Sequence, residues 1–293
     1  MTITLPEHHL KTMREQLQHI LLRKQVSKRT FLKLLGTLCS SAPSLYGARN
    51  LFSTLQFTLT EAASNRIQLT PLTKAIKDWV ILANTAAQHA VPIHTVVPHP
   101  PHVVGTTDAS KEGMGGCWTF ITNNSSSPIH ALWRAPFPPE IKAALVSADQ
   151  KNGTITNSDL ELAALIQGSA LIAAHSTFPH VNITLVSDNT PAVTWINKES
   201  TTSNGPAAYL LHQLAQHRRK QPYTLSTLYV PGSTNTIADC CLCLFTLSDT
   251  AFLAKMNVEF PVQPSWTLVL TPPNLMLSMI YALSKKLCTL DSM

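Results

Sequence analysis

Residues 102–246 of this chain read as an α/β domain, and residues 1–90 as a smaller helical region in front of it. Two observations carry that expectation. Five short β-branched or alternating runs, HVVGTTDAS, GCWTFIT, IHALWRA, VNITLVS and YTLSTLYV, fall in the second stretch, with helical patterns between and after them. The order is three strands, a helix, a strand, two helices, a strand and a helix, whereas the first 90 residues carry apolar residues at helical spacing.

In the helical region, LPEHHLKTMREQLQHILLRKQ places Leu10, Met13, Leu17, Ile20 and Leu21 on one stripe. VSKRTFLKLLGTLCSSAPSLYGARNLFSTLQ continues as helices broken near Pro43 and Gly47, and LTKAIKDWVILANTAAQ adds another. Residues 91–101, rich in proline and histidine, read as an extended linker.

Within the α/β domain the first strand stops at its acid, Asp108. GCWTFIT and IHALWRA follow as two more strands, joined by a turn over residues 123–128. SDLELAALIQGSALIAAH carries Leu160, Ala164, Leu165, Ala170, Leu171 and Ala174 at helical spacing, with Ser158 as N-cap and Glu161 three residues on, a capping-box arrangement. VNITLVSDNT sets Val181, Ile183 and Leu185 on one face and Asp188 just past the strand. A helix through AVTWINKE, a Gly205-Pro206 break and the amphipathic AAYLLHQLAQHRRK come next. Pro231-Gly232 ends the last strand, and the Asn235 side chain caps a short helix that carries Asp239. Trp118, Trp133 and Trp195 read as core in preference to base-stacking platforms. Residues 247–293 form a tail with one short helix after Pro272-Pro273.

Taken alone, Asp108 and Asp188 read first as turn or cap residues and Glu161 as a capping-box partner, and Asp239 reads also as a charge that neutralises a helix N-terminus. Jointly they suggest more, because two strand ends and two helix starts can meet at one point. Bare carboxylates gathered there raise one another's pKa, and a divalent cation removes that cost. All-oxygen donors favour Mg²⁺ or Mn²⁺ over zinc. Two such ions about 4 Å apart can hold a phosphodiester between an activated water and a stabilised leaving oxygen.

The order Asp, Glu, Asp, Asp, the TDAS opening followed by Gly113, Gly115 and Gly116, the ELxA helix start, the SDNTPAV strand exit and the closing VPGSTNTIAD resemble the ribonuclease H domain of retroelement reverse transcriptases. DNTPAVTWINKESTTSNGPAAYLLHQLA and YVPGSTNTIAD look most like the DIRS-like and gypsy-like retrotransposon versions. SKRTFLKLLGTLCSSAPSLYGARNLFSTL is similar to the segment linking thumb to nuclease in those enzymes. The resemblance implies a ribonuclease H-like mixed five-stranded sheet with helices on both faces. It implies an endoribonuclease that cuts the RNA strand of RNA–DNA hybrids with two Mg²⁺ or Mn²⁺ ions. Asp108 would bridge both ions, Glu161 and Asp188 would hold the first, and Asp239 would complete the second. Ser110 and Asn189 are implied as contacts to the nucleic acid, although Asn189 also reads as a helix start. Arg218, Arg219 and Lys220, a basic run at a helix end, read as phosphate contacts or as a solvated last turn. The polymerase portion of the same retroelement is an implied partner.

Two departures from that family stand out: Ser233 replaces the histidine common in the loop before the last acid, and CCLCLF follows Asp239 in place of a polar, basic ending. A catalytically inactive nucleic-acid-binding remnant is therefore the competing reading. A transposase or integrase would place a helical Glu after the second Asp, and a proofreading exonuclease would need Asp-x-Glu, whereas Asp108 is followed by Ala109-Ser110. No Asp-Asp pair occurs, so polymerase chemistry is not assigned to this sequence; the chain reads as a fragment beginning downstream of a polymerase palm.

Composition bounds the remainder. An apolar content of 44% supports real cores, and 13% charged residues argue against a disordered chain. Residues 1–100 hold 11 Lys and Arg against 4 Asp and Glu, a net of +7, whereas residues 101–245 hold 8 against 9, a net of −1. The surface for a polyanion is thus expected in the N-terminal region. The six cysteines form no zinc-binding pattern and read as buried thiols. No signal sequence or membrane span is recognised, so an intracellular protein is expected.

Overall fold

The computed structural model describes residues 2–286 except 89, 96, 98, 122–127, 149 and 203–204. The helical region contains α1 (Glu7–Leu21), α2 (Lys28–Ser41), α3 (Phe52–Glu61) and α4 (Thr73–Thr85). Strand β1 (Thr2–Ile3) precedes α1, β2 (Gln25–Ser27) precedes α2, and β3 (Arg66–Gln68) follows α3. Helix α2 starts cleanly because the Ser27 side chain accepts a hydrogen bond from the Thr30 amide. It stops where Pro43 enters a 3-10 turn at Ala42–Ser44. The stripe read from the sequence is the buried face of α1: Leu10, Met13, Leu17 and Ile20 pack with Phe31, Leu34, Leu38, Leu55, Ile76 and Trp79 in one core.

The segment expected as an extended linker opens instead as β4 (Val91–Pro92), which pairs antiparallel with β1, and continues into a 3-10 turn at Ile93–Thr95. Strand β2 likewise pairs with β3, Val26 opposite Ile67. Both small sheets escape sequence reading because two or three residues are too few to show a period.

The second region is built on β5 (Val103–Ala109), β6 (Gly113–Phe120), β7 (His130–Pro136), β8 (Val181–Ser187) and β9 (Tyr223–Tyr229). Its helices are α5 (Pro139–Ala144), α6 (Asn157–His175), α7 (Thr190–Lys198), α8 (Ala207–Lys220) and α9 (Thr236–Cys243). Strands β5, β6 and β7 form an antiparallel meander, while β8 and β9 add in parallel on the other side of β5. The expected mixed sheet with helices is therefore present. The turn expected over 123–128 falls largely on 122–127, outside the described residues.

The tail differs from expectation. It holds α10 (Asp249–Glu259), β10 (Thr267–Val269) and α11 (Pro273–Leu283), not one short helix. Strand β10 pairs in parallel with β7, so the sheet has six strands in the order β10-β7-β6-β5-β8-β9. Leu275, Met279 and Ala282 of α11 join the main core, and Phe252 and Met256 of α10 cover Cys117, Leu132 and Cys241 with Trp266. Arg134 ties this addition down: its guanidinium donates to the carbonyls of Leu244 and Leu247, pairs with Asp249 at 2.8 Å and lies 4.3 Å from the centre of the Phe252 ring.

Burial explains most of the other residues singled out from sequence. Trp118 and Trp133 are core residues, and Trp195 packs partly buried against the same cluster. Cys117 and Cys241 are buried as expected, whereas Cys39 and Cys243 are exposed. Cys241 packs beneath α10 and its thiol donates to the Gly116 carbonyl at 3.7 Å, which gives the apolar ending after Asp239 a structural role. No described helix is long and apolar enough to cross a membrane.

The two regions meet along α8. Ala215 of α8 belongs to the core of the helical region, and His212 meets Asp78 of α4 at 2.6 Å with both side chains buried. Gly47 sits at φ 76°, and a Cβ there would lie 3.1 Å from the Ala215 carbonyl oxygen. Gly47→Val combines a left-handed backbone with a β-branched clash, so denaturant unfolding should show a loss of about 2–3 kcal/mol. An unchanged midpoint would mean that this contact does not dock the regions.

Candidate active site

Sheet register explains how the acids meet. Strands β5 and β8 are parallel neighbours with Thr106 opposite Val186, so Asp108, next to last in β5, and Asp188, just past β8, emerge at the same sheet end. Helix α6 crosses β5 and supplies Glu161 from its second turn. Its start lies two residues earlier than expected: Thr156 is the N-cap, and the capping box is closed by Asp159, not by Ser158 and Glu161. The Asp159 carboxylate accepts from the Thr156 amide at 2.8 Å and from its hydroxyl at 2.7 Å. That shift has a functional consequence, because Glu161 is released from capping and projects inward, 2% exposed.

Carboxylate oxygens of Asp108, Glu161 and Asp188 all lie within 4.8 Å of one another. The Ala109 amide donates to Asp108 Oδ1 at 2.7 Å, and Ser187 Oγ donates to Glu161 Oε2 at 3.4 Å. Burial, followed by the Asp108 charge and a hydrogen bond to Asp108, pushes the Glu161 carboxyl up to about 10. Burial also raises Asp108, and the charges of Asp188 and Asp239 add to that rise. A proton held by Glu161 and donated to Asp108 thus relieves the repulsion when no cation is bound. Three carboxyl groups brought to one point, all oxygen donors, fit a hard divalent cation.

Asp239 stands apart from this trio. It is exposed on α9, yet near enough for its charge to bear on Asp108, and Cys243 Sγ donates to its Oδ1 at 3.8 Å. The Asn235 side chain does not cap α9 as expected; its Nδ2 donates to the Thr107 carbonyl at 3.1 Å.

The expected nucleic-acid contacts divide. Ser110 lies in the β5–β6 turn two residues from Asp108, half-buried, its hydroxyl accepting from the Glu112 amide at 3.2 Å. Asn189 caps α7, its Oδ1 accepting from the Ala192 amide at 3.0 Å, immediately after Asp188. Arg218 is not a surface phosphate contact: it is buried, pairs with Glu199, donates to the Tyr223 carbonyl at 3.2 Å and lies 5.1 Å from the Tyr46 ring centre. Arg219 reaches Thr85 Oγ1 at 3.4 Å, and only Lys220 of that run is exposed. Burial of the last turn of α8 against the helical region is the reason, and the charge pattern alone does not reveal it.

Gly232, in the loop after β9, was not singled out from sequence as a site residue. A Cβ there would fall 2.6 Å from Asp188 Oδ2, so any larger residue would push the carboxylate out of its present position.

No protein-family model matches the sequence, and no curated protein matches it. Several solved structures do. RNase H1 from the halophilic archaeon Halobacterium salinarum NRC-1 is 19% identical over 47% of this chain and 92% of that one, with a TM-score of 0.28. LC11-RNase H1, solved with an RNA/DNA hybrid, is 11% identical over 47% of this chain and 91% of that one, with a TM-score of 0.29. The foamy viral protease-reverse transcriptase, solved with an RNA/DNA hybrid, is 11% identical over 74% of this chain and 26% of that one, with a TM-score of 0.26. The structural neighbours thus include RNase H domains and a reverse transcriptase. Likeness at this level is too distant to bear on chemistry, which rests on the carboxylates themselves.

Proposed function

We propose that this protein is an endoribonuclease that hydrolyses the RNA strand of RNA–DNA hybrids, of the kind found in DIRS-like or gypsy-like retroelement reverse transcriptases. The convergence of Asp108, Glu161 and Asp188 within 4.8 Å at one sheet end carries this reading. Asp108, Glu161, Asp188 and Asp239 would hold two Mg²⁺ or Mn²⁺ ions, which when bound supply an activated water and stabilise the leaving oxygen. The chain's own residues prepare the site. The Ala109 amide fixes one Asp108 oxygen, Glu161 holds a proton that it donates to Asp108, and Gly232 leaves room for Asp188. Ser110, Asn189 and Lys220 are the proposed contacts to the nucleic acid, with hybrid shape and RNA 2′-hydroxyls setting selectivity.

The helical region supports a polyanionic substrate. Arg23, Lys24, Arg29, Lys33 and Arg66 are exposed around β2, the start of α2 and β3, and none forms an ion pair among the described residues. Arg29 and Lys33 stand four residues apart on one helix face, a like-charge pair that bound phosphates would relieve.

The test is cleavage of a hybrid with labelled RNA by the full chain. RNA-strand products in Mg²⁺ and none in excess chelator are expected. Hybrid binding without cleavage would instead support the inactive remnant, to which Ser233 and the exposed position of Asp239 point.

A further inference from the structure

The segment between β9 and α9 touches two of the acid-bearing elements before it delivers the third. Val230 donates its amide to the Ser187 carbonyl at 3.1 Å, one residue before Asp188, and Gly232 then closes over the Asp188 carboxylate. Asn235 ends the 3-10 turn Gly232–Thr234, donating its amide to the Gly232 carbonyl at 3.0 Å. Its own carbonyl accepts from the Asp239 amide at 3.1 Å, so Asn235 and Asp239 are joined within the first turn of α9.

Asn189 and Asn235 occupy the same position at the starts of α7 and α9, yet their side chains do different things. Asn189 caps its own helix through Oδ1. Asn235 is 2% exposed, makes no cap, and sends Nδ2 across to the carbonyl of Thr107, the residue before Asp108, while its Oδ1 has no partner. An asparagine that gives up a local cap and leaves a buried oxygen unpaired is held by the contact it does make. The ladder from β5 to β8 ends at Thr106, and Asn235 meets β5 at the next residue.

We propose that Asn235 is a positioning residue that sets Asp239 relative to Asp108, by tying the first turn of α9 to β5. The assignment rests on the nuclease reading of the site, which supplies the reason for holding the two acids in register. Asp239 is exposed and outside the buried trio, so this tie is what keeps its carboxylate within reach of a cation shared with Asp108.

The test compares Asn235→Ala and Asn235→Ser in the full chain. Serine can cap α9 but is too short to reach Thr107, so it separates helix capping from positioning. Both variants should lower kcat for hybrid cleavage about tenfold to a hundredfold with little change in KM, as a misplaced group does. Both should also weaken Mn²⁺ uptake measured by the free-ion EPR signal. In an Asp239→Asn background, where the positioned group is already neutralised, Asn235→Ser should add less than about twofold to the loss in kcat. Asn235→Ser with wild-type kcat and Mn²⁺ binding, or losses that multiply fully with Asp239→Asn, would overturn the assignment while leaving the nuclease reading intact. A wild-type chain that binds Mn²⁺ but does not cut would defeat the nuclease reading, and the EPR comparison would still decide the role of Asn235. A wild-type chain that neither cuts nor takes up Mn²⁺ would overturn both.

Discussion

Asp188→Asn should reduce hybrid cleavage by on the order of 10³-fold or more, with the fold retained. The substitution keeps the shape of the side chain and removes the charge of one of the three carboxyl groups that face one another within 4.8 Å. Asp188 lies just beyond β8 and is only half-buried, and Gly232 beside it needs no more room for an amide than for a carboxylate. Folding therefore has little to lose, and relief of repulsion should hold or raise the melting temperature without metal. Loss of a charged ligand weakens cation binding, so raising Mg²⁺ should recover only part of the rate. Single-turnover cleavage of a labelled hybrid, beside circular dichroism melts, measures both. Normal cutting by the variant would remove these carboxylates from the chemistry.

Glu161→Gln should flatten the pH dependence of stability in metal-free protein. The Glu161 carboxyl moves from 4.5 in the unfolded chain to about 10 in the fold, chiefly through burial. Between those values the folded chain keeps a proton that the unfolded chain has released, so stability falls as pH rises. The fall is up to about 1.4 kcal/mol per pH unit, and the contribution, full below about 4.5, is gone above about 10. Raised Asp108 adds a change of the same sign. Glutamine cannot ionise, so urea unfolding in chelator should show a shallower slope between pH 5 and 9 and a variant more stable by a few kcal/mol at the alkaline end. Excess Mg²⁺ should reduce the wild-type slope, because a cation replaces the proton as the counter-charge. Equal slopes in the two proteins would show that Glu161 ionises freely.

Both expectations depend on residues whose order was legible in the sequence but whose geometry was not. Alternation in Val181, Ile183 and Leu185 marked β8 and hence put Asp188 at a strand exit, because a two-residue period records which face is buried. Glu161 was found through a capping box that belongs to Thr156 and Asp159. Its true setting, inside a helix buried on nearly every side, is invisible to a local cap rule, since α6 is covered on one side by the sheet and on another by α7, α8 and α11. Arg218 shows the opposite failure: a basic run reads as surface, and burial against Tyr46 and Glu199 arises from residues far away in sequence.

The sequence by itself determined the order of the five strands and of the helices that carry or follow the four acids, though not the short α5, and the N-terminal excess of positive charge. Those properties reside in local periodicity and residue chemistry. Only the tertiary structure decided that β10 and α11 complete the sheet and core, that three acids form a tight group with Asp239 outside it, and that Asn235 reaches β5. The physical reason is distance along the chain: Asn235 meets Thr107 across 128 residues and β10 meets β7 across more than a hundred, so no window of sequence contains both partners.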